Sequence, residues 1–188
     1  RLLGFEEKPE QPKSDAASLG IYVISRKLLI NLLEQVVPEG RYDLVKDIIV
    51  RFCKTLKVYG YEYDGYWSAI GAGTAAYFAT NMDFLKKDVR KYFMDSYPSI
   101  KSKIDDLPPA KYNPGSKVKN SLVSSGCIIN GTVENSILFK DVYVGANCVI
   151  KNSIILNDVY LGDNTYIENC IVESRDTIRA NSTYKGED

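Results

Sequence analysis

A lysine in a tight acidic turn is the first group in this chain whose type and place could do chemistry. Glu6-Glu7-Lys8-Pro9 follows an apolar stretch, Leu2-Leu3-Gly4-Phe5, that reads as a strand. A compact ammonium at a strand end suits a phosphate; the same turn reads equally as charged surface. Ser18 and Gly20 are small residues at the head of a second strand-like stretch, Leu19 to Ile24. Glycine there lets two backbones approach closely. The chain has no histidine. Serine–histidine and cysteine–histidine nucleophile pairs and imidazole metal sites are therefore excluded. Cys53, Cys127, Cys148 and Cys170 show no CxxC spacing and read as buried, reduced thiols of a cytosolic protein.

The elements that must hold these groups alternate. Arg26 to Val37 places Leu28, Leu29, Leu32, Leu33 and Val36 at helical spacing, and Pro38-Glu39-Gly40 stops it. Asp43 caps a second helix carrying Leu44, Ile48 and Phe52. Leu56 to Tyr63 reads as a strand before Asp64-Gly65, Trp67 to Ile70 as another, and Ala75 to Lys87 as a helix. Residues 1–87 thus read as an α/β layer, a mixed sheet with helices. Residues 88–117 hold Pro98, Pro108, Pro109 and Pro114 and read as an extended linker.

Beyond the linker the chain repeats. SILFKDVYVGANCVIKN, 136–152, and SIILNDVYLGDNTYIEN, 153–169, agree at nine of seventeen positions. A period of this length marks a stack whose units bury their apolar faces against one another. Each unit holds three short apolar stretches between turns, which makes a triangular prism of parallel strands over residues 118–188. Gly145 and Gly162 recur at one corner, where a left-handed conformation costs glycine least. Asn147/Asn164 and Asn152/Asn169 recur at others; asparagine tolerates the same conformation and stacks in ladders. Glu173, Asp176 and Arg179 fall where the previous unit has Leu156, Val159 and Gly162, and read as a polar cap.

Composition narrows the rest. Twenty-four Lys and Arg balance twenty-four Asp and Glu. With no basic stripe, nucleic acid is excluded as a partner. With no apolar run of membrane length, no membrane span is expected, and the expected location is the cytoplasm. The chain starts without methionine inside a strand-like stretch, which points to a piece of a longer protein.

An ordered set of motifs carries a family resemblance. Phe5-Glu6-Glu7-Lys8-Pro9, Ser18-Leu19-Gly20-Ile21-Tyr22-Val23, Tyr42-Asp43-Leu44-Val45-Lys46-Asp47-Ile48-Ile49, Gly65-Tyr66-Trp67 and Asn81-Met82-Asp83 follow in sequence. With the terminal coil they resemble the second half of a glucose-1-phosphate adenylyltransferase. The coil itself is similar to the hexapeptide-repeat left-handed parallel β-helix. The resemblance implies that Lys8 meets a sugar phosphate, with Glu7 near the sugar and Ser18 and Gly20 against it. It also implies a Gly-rich nucleotide loop and one metal-binding Asp in a first half outside this chain. Acyltransferases built on such coils rely on a histidine, so the coil reads here as a packing and assembly module.

The resemblance breaks at one position. Active members carry Tyr-Trp-x-Asp-Val-Gly, whose Asp helps hold magnesium; here the stretch is Tyr66-Trp67-Ser68-Ala69-Ile70-Gly71. Ala69 stands where that Asp belongs, and a methyl group cannot coordinate a metal. Phosphoryl transfer needs metal ions to neutralise charge on the reacting oxygens. No catalytic and no metal-binding residue is therefore expected in this chain, and no cofactor; an active member would use Mg2+. Asp64, five residues upstream, is the alternative carboxylate. The reading is a degenerate regulatory subunit of GlgD type in glycogen synthesis, assembled with a catalytic homologous subunit or with itself. The alternatives are an active sugar-1-phosphate nucleotidyltransferase and a pure assembly module.

Overall fold

The computed structural model describes residues 1–2, 4–95, 100–101 and 103–187. Leu3 of the first expected strand and Pro98 of the linker lie outside the described residues. The chain divides into two compact units, Arg1–Trp67 and Ser68–Asp188.

In the first unit the helices fall where their caps put them. Helix α1, Arg26–Val36, starts at Ser25, whose side chain accepts from the Leu28 N–H. It ends in a 3₁₀ turn, Val37–Glu39, closed by Gly40 at φ 73°. Leu32 and Val36 pack on Ile48, with Ile24, Leu29, Phe52 and Leu56 around them. Each such side chain contributes about 1.5–3 kcal/mol when fully buried. The expected second helix is a π-helix, Leu44–Val50, with the Asp43 side chain accepting from Lys46 N–H. Leu19 to Ile24 and Leu56 to Tyr63, expected as strands, form no ladder among the described residues; one backbone bond, Leu2 N–H to Val58 C=O, joins the second to the chain start. A strand needs a neighbour to become one. Ile21 and Val23 stay exposed on either side of the half-buried Tyr22, and Tyr59 and Tyr61 are exposed in a wholly exposed stretch.

An ion-pair chain ties α1 to the π-helix. Arg51 grips both oxygens of Glu39 at 2.6 and 3.1 Å, and Arg41 bridges Glu39 at 3.0 Å and Asp47 at 3.2 Å. Asp47 is buried and also accepts from the Asp43 backbone N–H at 3.0 Å. That N–H, and then the Arg41 guanidinium, hold its carboxyl below the ordinary carboxylate range. A depressed carboxyl contributes stability above its unfolded pKa, about 3.9, that is lost as pH falls through the lowered folded value. Asp47→Asn should therefore lower the melting temperature at neutral pH, and the gap to the unaltered chain should close as pH falls through the lowered range of the folded carboxyl. A gap that stays constant across that titration would remove ionisation from the account.

The second unit begins with α2, Thr74–Asp83, and α3, Lys87–Met94. Helix α3 lies inside the stretch expected to be an extended linker, and its Val89 is buried; the amphipathic spacing of Val89 and Phe93 outweighs the polar composition. The linker's later part is pinned: Lys140 Nζ reaches Asp105 at 2.7 Å and the Lys103 carbonyl at 3.4 Å.

The coil starts earlier than expected, at Lys111–Tyr112, which pairs with Ile128–Ile129. All its strands are parallel, in three sheets of five, five and four among the described residues. Tyr143 pairs with Tyr160 and Tyr160 with Thr177, each seventeen residues on, whereas Ile128 pairs with Tyr143 only fifteen on. The short rung turns at Gly131, where a Cβ would stand 2.4 Å from the Cys148 carbonyl oxygen. Ile129, Val144 and Leu161 from one sheet, Val133, Ile150 and Ile167 from the second, and Leu138 and Ile155 from the third fill the prism, all fully buried. Ser136 and Ser153 are buried beside them, each accepting from the next rung's backbone N–H at 3.1 and 3.2 Å.

The corners belong to asparagine and aspartate. Asp141, Asn147 and Asn152 in one rung, and Asp158, Asn164 and Asn169 in the next, all have φ between 42° and 59°. Their short polar side chains make this region less costly than for other L-residues. Gly145 and Gly162 are not left-handed, contrary to expectation. They are needed for close approach: a Cβ would sit 2.8 Å from Leu161 O at Gly145 and 2.5 Å from Ala180 N at Gly162. The same column holds Arg179 in the last rung. Asn147 donates to Asn164 at 3.2 Å and Asn164 to Asn181 at 3.0 Å; Asn113–Asn130 and Asn120–Asn135 repeat this at 2.6 and 2.7 Å. Glu173 and Asp176 line a surface depression at the last rung with Val172, Ile178 and Tyr184, and Val172 and Ile178 stay buried.

Candidate functional site

Lys8 is exposed and sits at φ 46°, in the left-handed region, directly before Pro9. That backbone costs a non-glycine residue on the order of 1–3 kcal/mol, and the residue before proline is further restricted. The turn that carries Lys8 is tied by an ion pair between Lys13 and Glu6 at 2.5 Å, which leaves Glu7 and Lys8 without a hydrogen bond or ion pair among the described residues. Both face solvent.

Ser18 and Gly20 form their own small turn. The Gly20 N–H donates to Ser18 Oγ at 3.3 Å, and Ser18 Oγ lies 3.1 Å from the Tyr22 hydroxyl. Gly20 has φ 73° and nothing within 4 Å of a Cβ. It is glycine for its backbone conformation; the close strand packing expected of it is absent. Among the described residues no hydrogen bond joins this turn to Glu7 or Lys8. The four residues are thus on two exposed turns of one unit.

Ala69 stands just before a 3₁₀ turn, Ile70–Ala72. Gly73, at φ 120°, then opens α2; that angle is glycine's. Ser68 Oγ lies 2.5 Å from Thr80 Oγ1, which donates to the Ala76 carbonyl at 2.7 Å, so Ser68 is the donor to Thr80. Asp64 is exposed. Among the described residues no three His, Cys, Asp or Glu side chains converge, and position 69 offers a methyl group.

The cysteines are all free. Burial pushes the Cys127 and Cys148 thiols up, which makes them poor nucleophiles. Sequence reasoning missed the Glu39–Arg41–Asp47–Arg51 chain. No helix among the described residues is long and apolar enough to cross a membrane.

Residues 1–87 match the family described as Nucleotidyl transferase, and residues 108–188 the family described as GlmU-like, C-terminal hexapeptide. Among curated proteins, the chain is 35% identical over 152 residues to a glucose-1-phosphate adenylyltransferase of Pseudothermotoga lettingae, covering 79% of this chain and 36% of the relative. It is 38% identical over 148 residues to that of Clostridium perfringens (77% and 38%), and 35% over 151 to that of Geobacillus stearothermophilus (79% and 39%). The chain therefore spans less than two-fifths of the length of these relatives. Residues 1–87 are a nucleotidyl transferase segment and residues 108–188 a hexapeptide coil, in a chain homologous to glucose-1-phosphate adenylyltransferases over 79% of its length.

Proposed function

We propose that this chain works in a regulatory, catalytically degenerate subunit of glucose-1-phosphate adenylyltransferase, in the cytoplasm, during glycogen synthesis. The reaction of the assembly is ATP plus glucose 1-phosphate to ADP-glucose plus diphosphate. The observation that carries the reading is Ala69 in an otherwise family-like Tyr66-Trp67-Ser68-Ala69-Ile70-Gly71 stretch. Glu7, Lys8, Ser18 and Gly20 are the residues toward a sugar phosphate, and the strained φ of Lys8 supports a role at that turn. The names of the relatives favour a second reading, an active nucleotidyltransferase that uses another carboxylate.

An ADP-glucose synthesis assay with magnesium, on the complete gene product alone and mixed with a catalytic homologue, separates the readings. Synthesis by the protein alone would sink the degenerate reading. A changed rate or effector response of the mixture supports it. No effect in either leaves the coil as an assembly module.

The partner reading rests on one coil face. Tyr143 and Tyr160 stack at 4.8 Å with ring planes 4° apart, and Tyr160 is half-exposed. Tyr143→Glu with Tyr160→Glu is expected to weaken association with the catalytic subunit at least about tenfold while the circular dichroism of the coil is kept. Normal assembly by light scattering would place the contact elsewhere.

A further inference from the structure

Rungs alike in their buried columns and their corners carry a hazard. A rung that skips its neighbour and stacks on the one beyond meets the same apolar columns and the same left-handed corners. Val133, Ile150 and Ile167 follow one another in one buried column, and Leu138 and Ile155 in another; neither column tells adjacent rungs from next-adjacent ones. Misassembly of like units is the characteristic failure of repeat proteins.

One column does tell them apart. Lys119 pairs with Glu134, Glu134 with Lys151, Lys151 with Glu168, and Glu168 with Lys185. These are the last residues of their strands, exposed or half-buried, beside a middle column whose three inner members, Val133, Ile150 and Ile167, are buried. The sign of charge changes at every rung. Nearest neighbours are always opposite, and next-nearest always alike: Lys119 with Lys151, Glu134 with Glu168, Lys151 with Lys185. Adjacent strands lie about 4.8 Å apart, a range at which facing opposite charges stabilise and like charges destabilise. At the last rung the pair closes to 3.7 Å, and Lys185 Nζ also lies 4.9 Å from the Tyr166 ring. No other aligned column carries a charge on all five rungs.

We infer that this lysine–glutamate ladder specifies the order of the rungs. Skipping any one of the three inner rungs replaces two facing opposite-charge pairs by one facing like-charge pair. The hydrophobic columns make the rungs stack, and the charge column makes them stack in sequence.

The test is refolding of the 188-residue chain from denaturant at low salt, followed by limited proteolysis read by intact mass. A skipped rung loops out and is cut within itself. A neutral ladder, Glu134→Gln with Lys151→Gln and Glu168→Gln, is expected to raise the fraction of chains cut within one rung about fivefold. An inverted ladder keeps the alternation and is expected to refold like the unaltered chain: Lys119→Glu, Glu134→Lys, Lys151→Glu, Glu168→Lys and Lys185→Glu together. Glu168→Lys alone makes position 168 repel Lys151 and attract Glu134 across a skip, so its cuts should concentrate in 136–152. At about 1 M salt, where screening acts within about 3 Å, the differences should vanish. A neutral ladder that refolds like the unaltered chain at low salt overturns the inference. If the neutral ladder recovers no fold, the inverted one decides: recovery supports the inference, and failure overturns it.

Discussion

The Ala69→Asp variant of the complete gene product is expected to make ADP-glucose at least about 100-fold faster than the unaltered protein, the usual size of one lost electrostatic stabiliser of a transition state. The position directly precedes the 3₁₀ turn Ile70–Ala72, and Ala69 itself is exposed, so a carboxylate fits without repacking. Its role in the proposed reaction is to return one of the two negative charges that hold magnesium against the phosphates. Steady-state rates across a magnesium titration measure the gain. A flat response at saturating magnesium would mean that further parts of the site have decayed, and the single-residue explanation would fall.

Gly162→Val should lower the thermal midpoint of the coil by about 6–12 °C. A Cβ at position 162 would lie 2.5 Å from Ala180 N and 2.9 Å from its Cα. Those are backbone atoms of the next rung, held by the ladder bond from Gly162 N–H to Ile178 C=O at 2.9 Å, and they cannot swing aside as a side chain would. Overpacking of this kind costs roughly 3 kcal/mol, and a chain of this size loses about 2–4 °C per kcal/mol. Arg179→Ala, in the same column of the last rung, is the control and should melt with the unaltered protein. A Gly162→Val coil melting within about 2 °C of the original would show that the rungs have room the geometry denies.

The coil was largely legible in the sequence because its signal is periodic. Nine recurring positions in seventeen give the rung, and Asn147, Asn152, Asn164 and Asn169 give the corners. Gly145 and Gly162 were misread because two causes favour glycine, backbone conformation and close approach, and a single letter does not separate them. The short rung at Gly131 was hidden because a two-residue deletion at a corner leaves every strand intact. In the first unit, the end of α1 was legible from Pro38-Glu39-Gly40, which acts locally; the Ser25 cap came from the structure. Leu19 to Ile24 and Leu56 to Tyr63 have strand composition but no ladder, because pairing is decided by a neighbour and not by the segment. Of the candidate site, the sequence proposed Lys8 and Ser18, and the left-handed turn at Lys8 and the reason for Gly20 came from their φ of 46° and 73°. The Glu39–Arg41–Asp47–Arg51 chain was out of reach, because ion pairs across a turn depend on side-chain direction.

The asparagine ladders give the coil an electrical polarity. Backbone bonds between rungs run both ways: Tyr143 N–H reaches forward to Val159 C=O, while Asn152 N–H reaches back to Glu134 C=O, so their dipoles largely cancel. The side-chain amides do not alternate. Asn113, Asn120, Asn147 and Asn164 each donate Nδ2–H toward the following rung. Amide dipoles aligned head to tail reinforce one another. The partial positive end of each row points toward the later rungs, and the carbonyl end toward the earlier ones. A charged group approaching along the prism axis therefore meets a field of one sign at one end and the opposite sign at the other, much as it would at the two ends of an α-helix.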